Sequence, residues 1–206
     1  GWTGPGYDTS STTVEIPQGS TGARHYVAHW TAIEYTITYV MNGGTNHADN
    51  PATYTVDSPT ITLKDPTRDG YTFKGWMPTD TIPHGSTGNK TFTANWEAIV
   101  YNITYVMNGG TNHPDNPTTY TVEQLPITLK DPTRNGYTFT GWTPADNIPQ
   151  GSTGDKTFTA NWTKNIYTIT YHLDGGSDPG NPDTYTVETE TFTLKNPTKD
   201  GYTFAG

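Results

Sequence analysis

The sequence predicts a mainly β protein, a tandem array of small β-rich units. Three observations predict it. The stretch Tyr35-Thr-Ile-Thr-Tyr-Val-Met-Asn-Gly-Gly-Thr45 returns 66 residues later at 101–111, and a looser copy occupies 167–177; a fixed period of this size marks an array. Within each period, apolar and polar residues alternate over short runs separated by turn residues, the pattern of half-buried strands. The composition agrees: the chain holds 43 Thr, 22 Gly and 16 Pro in 206 residues. Thr, Tyr, Val and Ile favour strands, and Gly, Pro and Asn favour turns.

The elements of the first whole unit follow in order. Tyr35, Ile37, Tyr39 and Met41 alternate with Thr36, Thr38 and Val40, giving a first strand. Asn42-Gly43-Gly44 is a turn, and a polar loop follows to Pro51,. Tyr54 and Val56 between threonines give a second strand, and Ile61 and Leu63 a third. The turn at 65–70 leads to a fourth strand in which Tyr71, Phe73 and Gly75 alternate with Thr72, Lys74 and Trp76. Residues 78–88 read as loop. Phe92, Ala94 and Trp96 alternate with Thr91, Thr93 and Asn95 in a fifth strand.

Aligned without gaps, 35–96 and 101–162 differ at 14 of 62 positions, mostly in loops or on the polar face. The connectors at 31–34, 97–100 and 163–166 are four residues long and not of the Gly/Ser type, which predicts a restricted orientation between neighbours,. Gly1-Trp2 matches Gly75-Trp76 and Gly141-Trp142, and Ile16 to Gly22 matches Ile82 to Gly88, with eight extra residues between. Gly201-Tyr-Thr-Phe-Ala-Gly206 stops where the other copies have Trp. The expected organisation is therefore the C-terminal part of a unit at 1–30, whole units at 31–97 and 98–163, and the N-terminal part of a unit at 164–206.

A unit of this size buries a modest core. With no cysteine to brace it, Tyr, Trp and Phe supply the buried area,. The formal net charge of -9 argues against nucleic acid, heparin-like polyanions and anionic membrane surfaces,. No stretch is apolar and long enough to span a membrane.

The motifs Ile37-Thr-Tyr-Val-Met-Asn-Gly-Gly44, Asn50-Pro-Ala-Thr-Tyr-Thr-Val56, Pro66-Thr-Arg-Asp-Gly-Tyr-Thr-Phe-Lys-Gly-Trp76, Ile82-Pro-His-Gly-Ser-Thr-Gly88 and Thr91-Phe-Thr-Ala-Asn-Trp96 recur 66 residues on. Together they resemble the Listeria–Bacteroides repeat family, related to the internalin B-repeat. The third copy departs at Asp174, and the first keeps Ala28-His29-Trp30 in place of Ala-Asn-Trp. The resemblance implies a β-grasp-type unit strung in large bacterial surface or secreted proteins as a stalk or adhesin shaft. It implies an extracellular location, no cofactor and no catalytic residues.

Other constellations are weak. Phe92, Ala94 and Trp96 share a core face, whereas Trp76 and Trp142 alternate away from Tyr71 and Phe73 and are expected on the second face or at an inter-unit joint,. A sugar-stacking platform is the competing use of the aromatic residues. His47 and His113 sit in a polar loop without converging ligands,. The acidic turn at 174–181 lacks the bidentate acid of a calcium loop, Tyr185 standing in its place,. No nucleophile triad, zinc or phosphate-loop motif is present.

Two functions remain. The first is a structural shaft or fibre subunit whose partners are neighbouring repeats or further copies. The second is an adhesin module whose variable loops hold a host glycan or protein. The two end segments are complementary, which leaves two readings: a longer array continuous through both ends, or head-to-tail completion between chains; Trp2, Trp30, Tyr167, Ile169, Tyr171, Tyr202 and Phe204 are the candidate self-assembly or inter-unit contacts,.

Overall fold

The computed structural model describes residues 1–206, the Tyr7 side chain excepted. Strands and turns make up almost all of its regular structure, with one 3-10 turn at Val122–Gln124 and no α-helix. The chain divides into two units, Gly1–Glu97 and Ala98–Gly206.

The first unit contains β1 (Trp2–Gly4), β2 (Tyr7–Ser11), β3 (Val27–Ala28), β4 (Tyr35–Val40), β5 (Thr53–Tyr54), β6 (Ile61–Thr62), β7 (Tyr71–Met77), β8 (Thr81–Ile82) and β9 (Lys90–Ala98). Strands β4 to β9 build one whole repeat. Its four-stranded sheet has the order β5-β4-β9-β7, and β6 pairs with β8 in a separate ribbon. The central β4 and β9 run parallel, with Ile37 opposite Lys90 and Tyr39 opposite Phe92. A parallel pair needs a long crossover, and here β5 to β8 supply it.

The alternating sequence fixes which face of this sheet is buried. Ile37, Phe92 and Ala94 point inward and meet Leu63 and Ile82 from the ribbon side, while Thr36, Thr38 and Thr91 face out. Trp76 and Tyr54 complete the buried cluster, and Tyr39, Phe73 and Trp96 pack around it. Phe73 meets both Trp76 and Trp96 edge-on, at centroid distances of 5.5 and 5.4 Å. Burying a large apolar side chain stabilises by roughly 1.5–3 kcal/mol. Edge-to-face aromatic pairs add to that, so a few large rings hold a small unit without disulfides.

In the second unit, β10 (Tyr101–Val106), β11 (Thr119–Tyr120), β12 (Ile127–Thr128), β13 (Tyr137–Thr143), β14 (Asn147–Ile148) and β15 (Lys156–Lys164) repeat the same arrangement. The core is again Ile103, Tyr120, Leu129, Trp142, Ile148, Phe158 and Ala160, joined by Leu125. The order, with a parallel central pair, agrees with the β-grasp-type expectation.

Three expectations need correction. Trp76 and Trp142 belong to the core, not to a second face: they are 6% and 7% exposed. The cause is a bulge. Phe139 lies opposite Trp162, but Gly141 lies opposite Asn161, so Thr140 is an extra residue. Gly141 takes a φ of 126° and Gly75 one of 116°, values that L side chains rarely adopt,. The bulge turns the tryptophan back onto the face of Phe139. The Asn161 side-chain amide donates to the Gly141 carbonyl at 2.9 Å, and Asn95 to that of Gly75 at 3.3 Å.

The loop at 78–88 is not wholly irregular, because Thr81 and Ile82 pair with Thr62 and Ile61. The longer stretch of the first segment contains a five-residue strand: β2 pairs with β1, which also pairs with β3.

The last segment has β16 (Tyr167–Thr168) paired with β17 (Thr184–Tyr185), and a bridge between Ser177 and Thr198. The expected third and fourth strands, around Phe192 and Tyr202, form no ladder. In the whole repeats these strands pair with β14 and β15, and residues 167–206 contain no counterpart of either.

Candidate functional site

The end segments present as surface what the whole repeats enclose. Trp2 lies opposite Ala28 in the register that sets Trp142 opposite Ala160. Yet Trp2 is 43% exposed, and Trp30, the counterpart of Trp96 and Trp162, is 92% exposed. The other expected contacts follow the same trend. Tyr167, Tyr202 and Phe204 are exposed, whereas Ile169 and Tyr171 are half-buried. Tyr171 is held by donation from its hydroxyl to the Pro182 carbonyl at 2.9 Å, as Tyr105 is to Pro117. Leu194 is 50% exposed, where Leu63 and Leu129 are 4% and 5%.

A cleft of about 280 Å³ opens in the last segment, lined by residues that include His172, Leu173, Gly176, Lys199, Tyr202 and Phe204. The whole repeats identify what this cleft resembles. Gly44 and Gly110 lie directly against the rings of Trp96 and Trp162. Those indoles donate to the Met41 and Met107 carbonyls at 2.9 and 3.0 Å. Gly176 and Leu173 are the corresponding residues, and Gly176 N–H donates to Leu173 as Gly44 does to Met41. The cleft is thus lined by the counterparts of the glycine and the carbonyl that meet the fifth-strand tryptophan in the whole repeats. One element differs. Asn42 and Asn108 donate to the Ala94 and Ala160 carbonyls at 3.1 and 3.0 Å, whereas Asp174 is an acceptor when ionised.

Sequence reasoning missed a second cluster, where the second whole repeat meets the third copy. The Tyr137 hydroxyl donates to Glu188 Oε1 at 2.5 Å, and Lys164 Nζ to Glu188 Oε2 at 2.9 Å. Val187 lies so close to Gly136 that a Cβ there would sit 2.6 Å from its own. The hydrogen bonds from Tyr137 and then Lys164 hold the Glu188 carboxyl below its ordinary range,. The same contacts raise Tyr137 and Lys164.

The remaining sequence candidates have structural roles. His47 and His113 use Nδ1 to accept the backbone N–H of Asp49 and Asp115, both at 3.2 Å. Among the described residues no cluster of His, Cys, Asp and Glu has the makings of a metal site. No helix is long and apolar enough to cross a membrane. The buried Trp76 and Trp142 are unavailable for sugar stacking.

The Listeria-Bacteroides repeat domain matches three successive stretches, residues 35–96, 101–165 and 167–206, most of the chain. The chain belongs to this family. Two proteins of Evansella cellulosilytica, provisionally named a Gly-rich membrane protein and a membrane protein, are similar to these Listeria-Bacteroides repeats. The first is 29% identical over 73% of the chain and the second 26% over 87%. The chain spans only 18% and 28% of those two relatives. Among solved structures, it is similar to tandem SHIRT domains 3-4 of a streptococcal cell surface protein, with 16% identity, a TM-score of 0.25, and coverage of 63% of this chain and 96% of that one.

Proposed function

We propose that the chain is a non-catalytic structural segment of a bacterial cell-surface protein, the shaft of an adhesin or the subunit of an extracellular fibre. One observation carries this reading. Two consecutive repeats enclose the same aromatic core, so length is built by repeating a self-contained unit,. The membrane-protein descriptions of the relatives support a surface location. Antibodies against residues 101–165, applied to intact and permeabilised source cells, test it. Labelling of intact cells that protease removes is expected. Labelling only after permeabilisation would sink the surface reading.

Head-to-tail completion is the finer form of this reading. The cleft at Leu173 and Gly176 takes the strand at 27–30 of a second copy, with Trp30 as its anchor. The support is the match of Ala28-His29-Trp30 to the strands that fill this position in the whole repeats. Such a contact does not close on itself and builds filaments. Light scattering across a concentration series, with Trp30→Ala beside the parent chain, decides it. Concentration-dependent growth abolished by the substitution is expected, and a monomer at every concentration rejects completion.

The adhesin-module reading rests on where neighbouring repeats differ. The variable loops Ala48–Ala52 and Met77–His84 carry six of the fourteen differences. A glycan array probed with the chain, and again with these loops exchanged between repeats, tests recognition.

A further inference from the structure

We infer that the contact between the second whole repeat and the third copy is a built joint, which fixes the angle between successive repeats. Only Asn165 and Ile166 separate β15 from β16. A two-residue connector limits reach but leaves rotation free, and domains in one chain move relative to each other unless an interface holds them. Here two independent attachments remove that freedom.

The first pins the connector. Asn165 N–H donates to the Gly136 carbonyl at 2.9 Å, and the Thr138 hydroxyl donates to Asn165 Oδ1 at 2.6 Å. The connector is thereby tied to the start of β13 rather than running free from the end of β15.

The second brings the 186–188 turn of the third copy to the same place. Val187 covers the α-carbon of Gly136, and Glu188 accepts from both Tyr137 and Lys164. Arg134 stacks over the Tyr137 ring at 3.5 Å and holds the phenol in position,. The Lys164–Glu188 pair is about half exposed on both sides, and an exposed pair contributes little to stability. Its role is directional. One carboxylate receives two donors from two different strands, while Val187 occupies a space that only glycine leaves open.

Gly136 therefore serves twice. Its φ of 76° makes the turn, and its missing side chain admits Val187. The same residue types occur one period earlier in the sequence, as Gly70, Tyr71, Val122 and Glu123, with Ala98 in the place of Lys164. The joint is a property of the repeat boundary in unit two and stands apart from where the array is displayed.

The chain has no cysteine, so paired spin labels at Thr104→Cys and Thr193→Cys report the angle directly. Both sites are exposed and lie in different repeats. In the full chain a narrow distance distribution is expected. Replacing Val187→Gly with Glu188→Ala is expected to broaden it and shift its mean, while Glu190→Ala leaves it unchanged. The pair Tyr137→Phe and Lys164→Ala removes the donors without altering the third copy, and is also expected to broaden it. A broad distribution in the parent chain, or an unchanged one in both joint variants, would overturn the inference.

Discussion

Gly110 and Trp162 are in direct contact: the indole lies where a side chain on Gly110 would be, and its N–H donates to the Met107 carbonyl at 3.0 Å. Gly110 is not in the left-handed region, so what opposes Ala there is space: a Cβ would sit 2.3 Å from the ring and 3.1 Å from the Thr133 carbonyl oxygen. Gly44 and Trp96 repeat the relationship. The Asn-Gly-Gly turn and the fifth-strand tryptophan, more than fifty residues apart, are therefore one structural feature.

Gly110→Ala is expected to destabilise the second repeat by about 1–3 kcal/mol, the usual cost of overpacking. Gly176→Ala is expected to cost less, because no indole lies against Gly176. Urea unfolding followed by tryptophan fluorescence compares the two. Equal losses would show that the ring contact is not the cause.

The bulge gives a second expectation. Gly141→Ala puts a side chain at a φ of 126°, and strain of this kind costs of order 1–3 kcal/mol. Trp142 is expected to turn outward as the strand regains plain alternation, shifting its emission to the red. Asn161→Ala removes donors to the Gly141 carbonyl and the Thr143 hydroxyl. It is expected to weaken the repeat by about 1 kcal/mol per bond. An unshifted spectrum in Gly141→Ala would mean that the glycine does not hold the tryptophan inward.

These sites mark where the sequence was legible. Alternation found the inward faces of β4, β9, β10 and β15, because nothing interrupts their period of two. It failed at Trp76 and Trp142, where one extra residue reverses the pattern. The available signal was the glycine one residue earlier, since glycine inside a strand often marks a bulge. Asn50 and Asn116 read as loop residues. In the fold Asn116 is buried, and its amide pairs with both the N–H and the carbonyl of Lys130, standing in for a strand neighbour. Nothing in the local pattern distinguishes that asparagine from its exposed neighbours. The joint was illegible for a similar reason: Glu188 and Tyr137 are fifty-one residues apart, and only the connector length hinted that they meet.

Glu188 sets a pH window for the joint. Its carboxyl is lowered by hydrogen bonds from Tyr137 and Lys164 and by the nearby charges of Lys164 and Arg134. A lowered acid contributes stability above its unfolded value and loses it as pH falls through the lowered folded value. Tyr137 and Lys164 are raised, first by their hydrogen bonds to Glu188. Their contribution is complete below their unfolded values and is lost as pH rises through the raised ones. The difference in urea midpoint between the parent chain and Glu188→Gln is therefore expected to be flat through neutral pH. It is expected to shrink at both the acidic and the alkaline ends. A difference that stays constant down to the fully protonated range would disconnect Glu188 from the joint.

Tyr105 tests the core from the alkaline side. Burial pushes its phenol up to about 12, and its hydroxyl donates to the Pro117 carbonyl at 2.9 Å while its ring packs against Trp142 and Phe158. Ionising it puts a charge among these rings and removes the donor. Because the folded value lies above the ordinary 10.0, the associated stability is complete below pH 10.0 and is lost as pH rises through about 12,. Tyr105→Phe keeps the ring and loses only the hydrogen bond, an expected cost of about 1 kcal/mol at neutral pH. In that variant the alkaline loss specific to Tyr105 disappears. Spectrophotometric titration of the phenols is expected to show one fewer late-ionising tyrosine. If the late phase persists unchanged in Tyr105→Phe, the raised phenol belongs to another residue, and the packing around Trp142 is not what holds it.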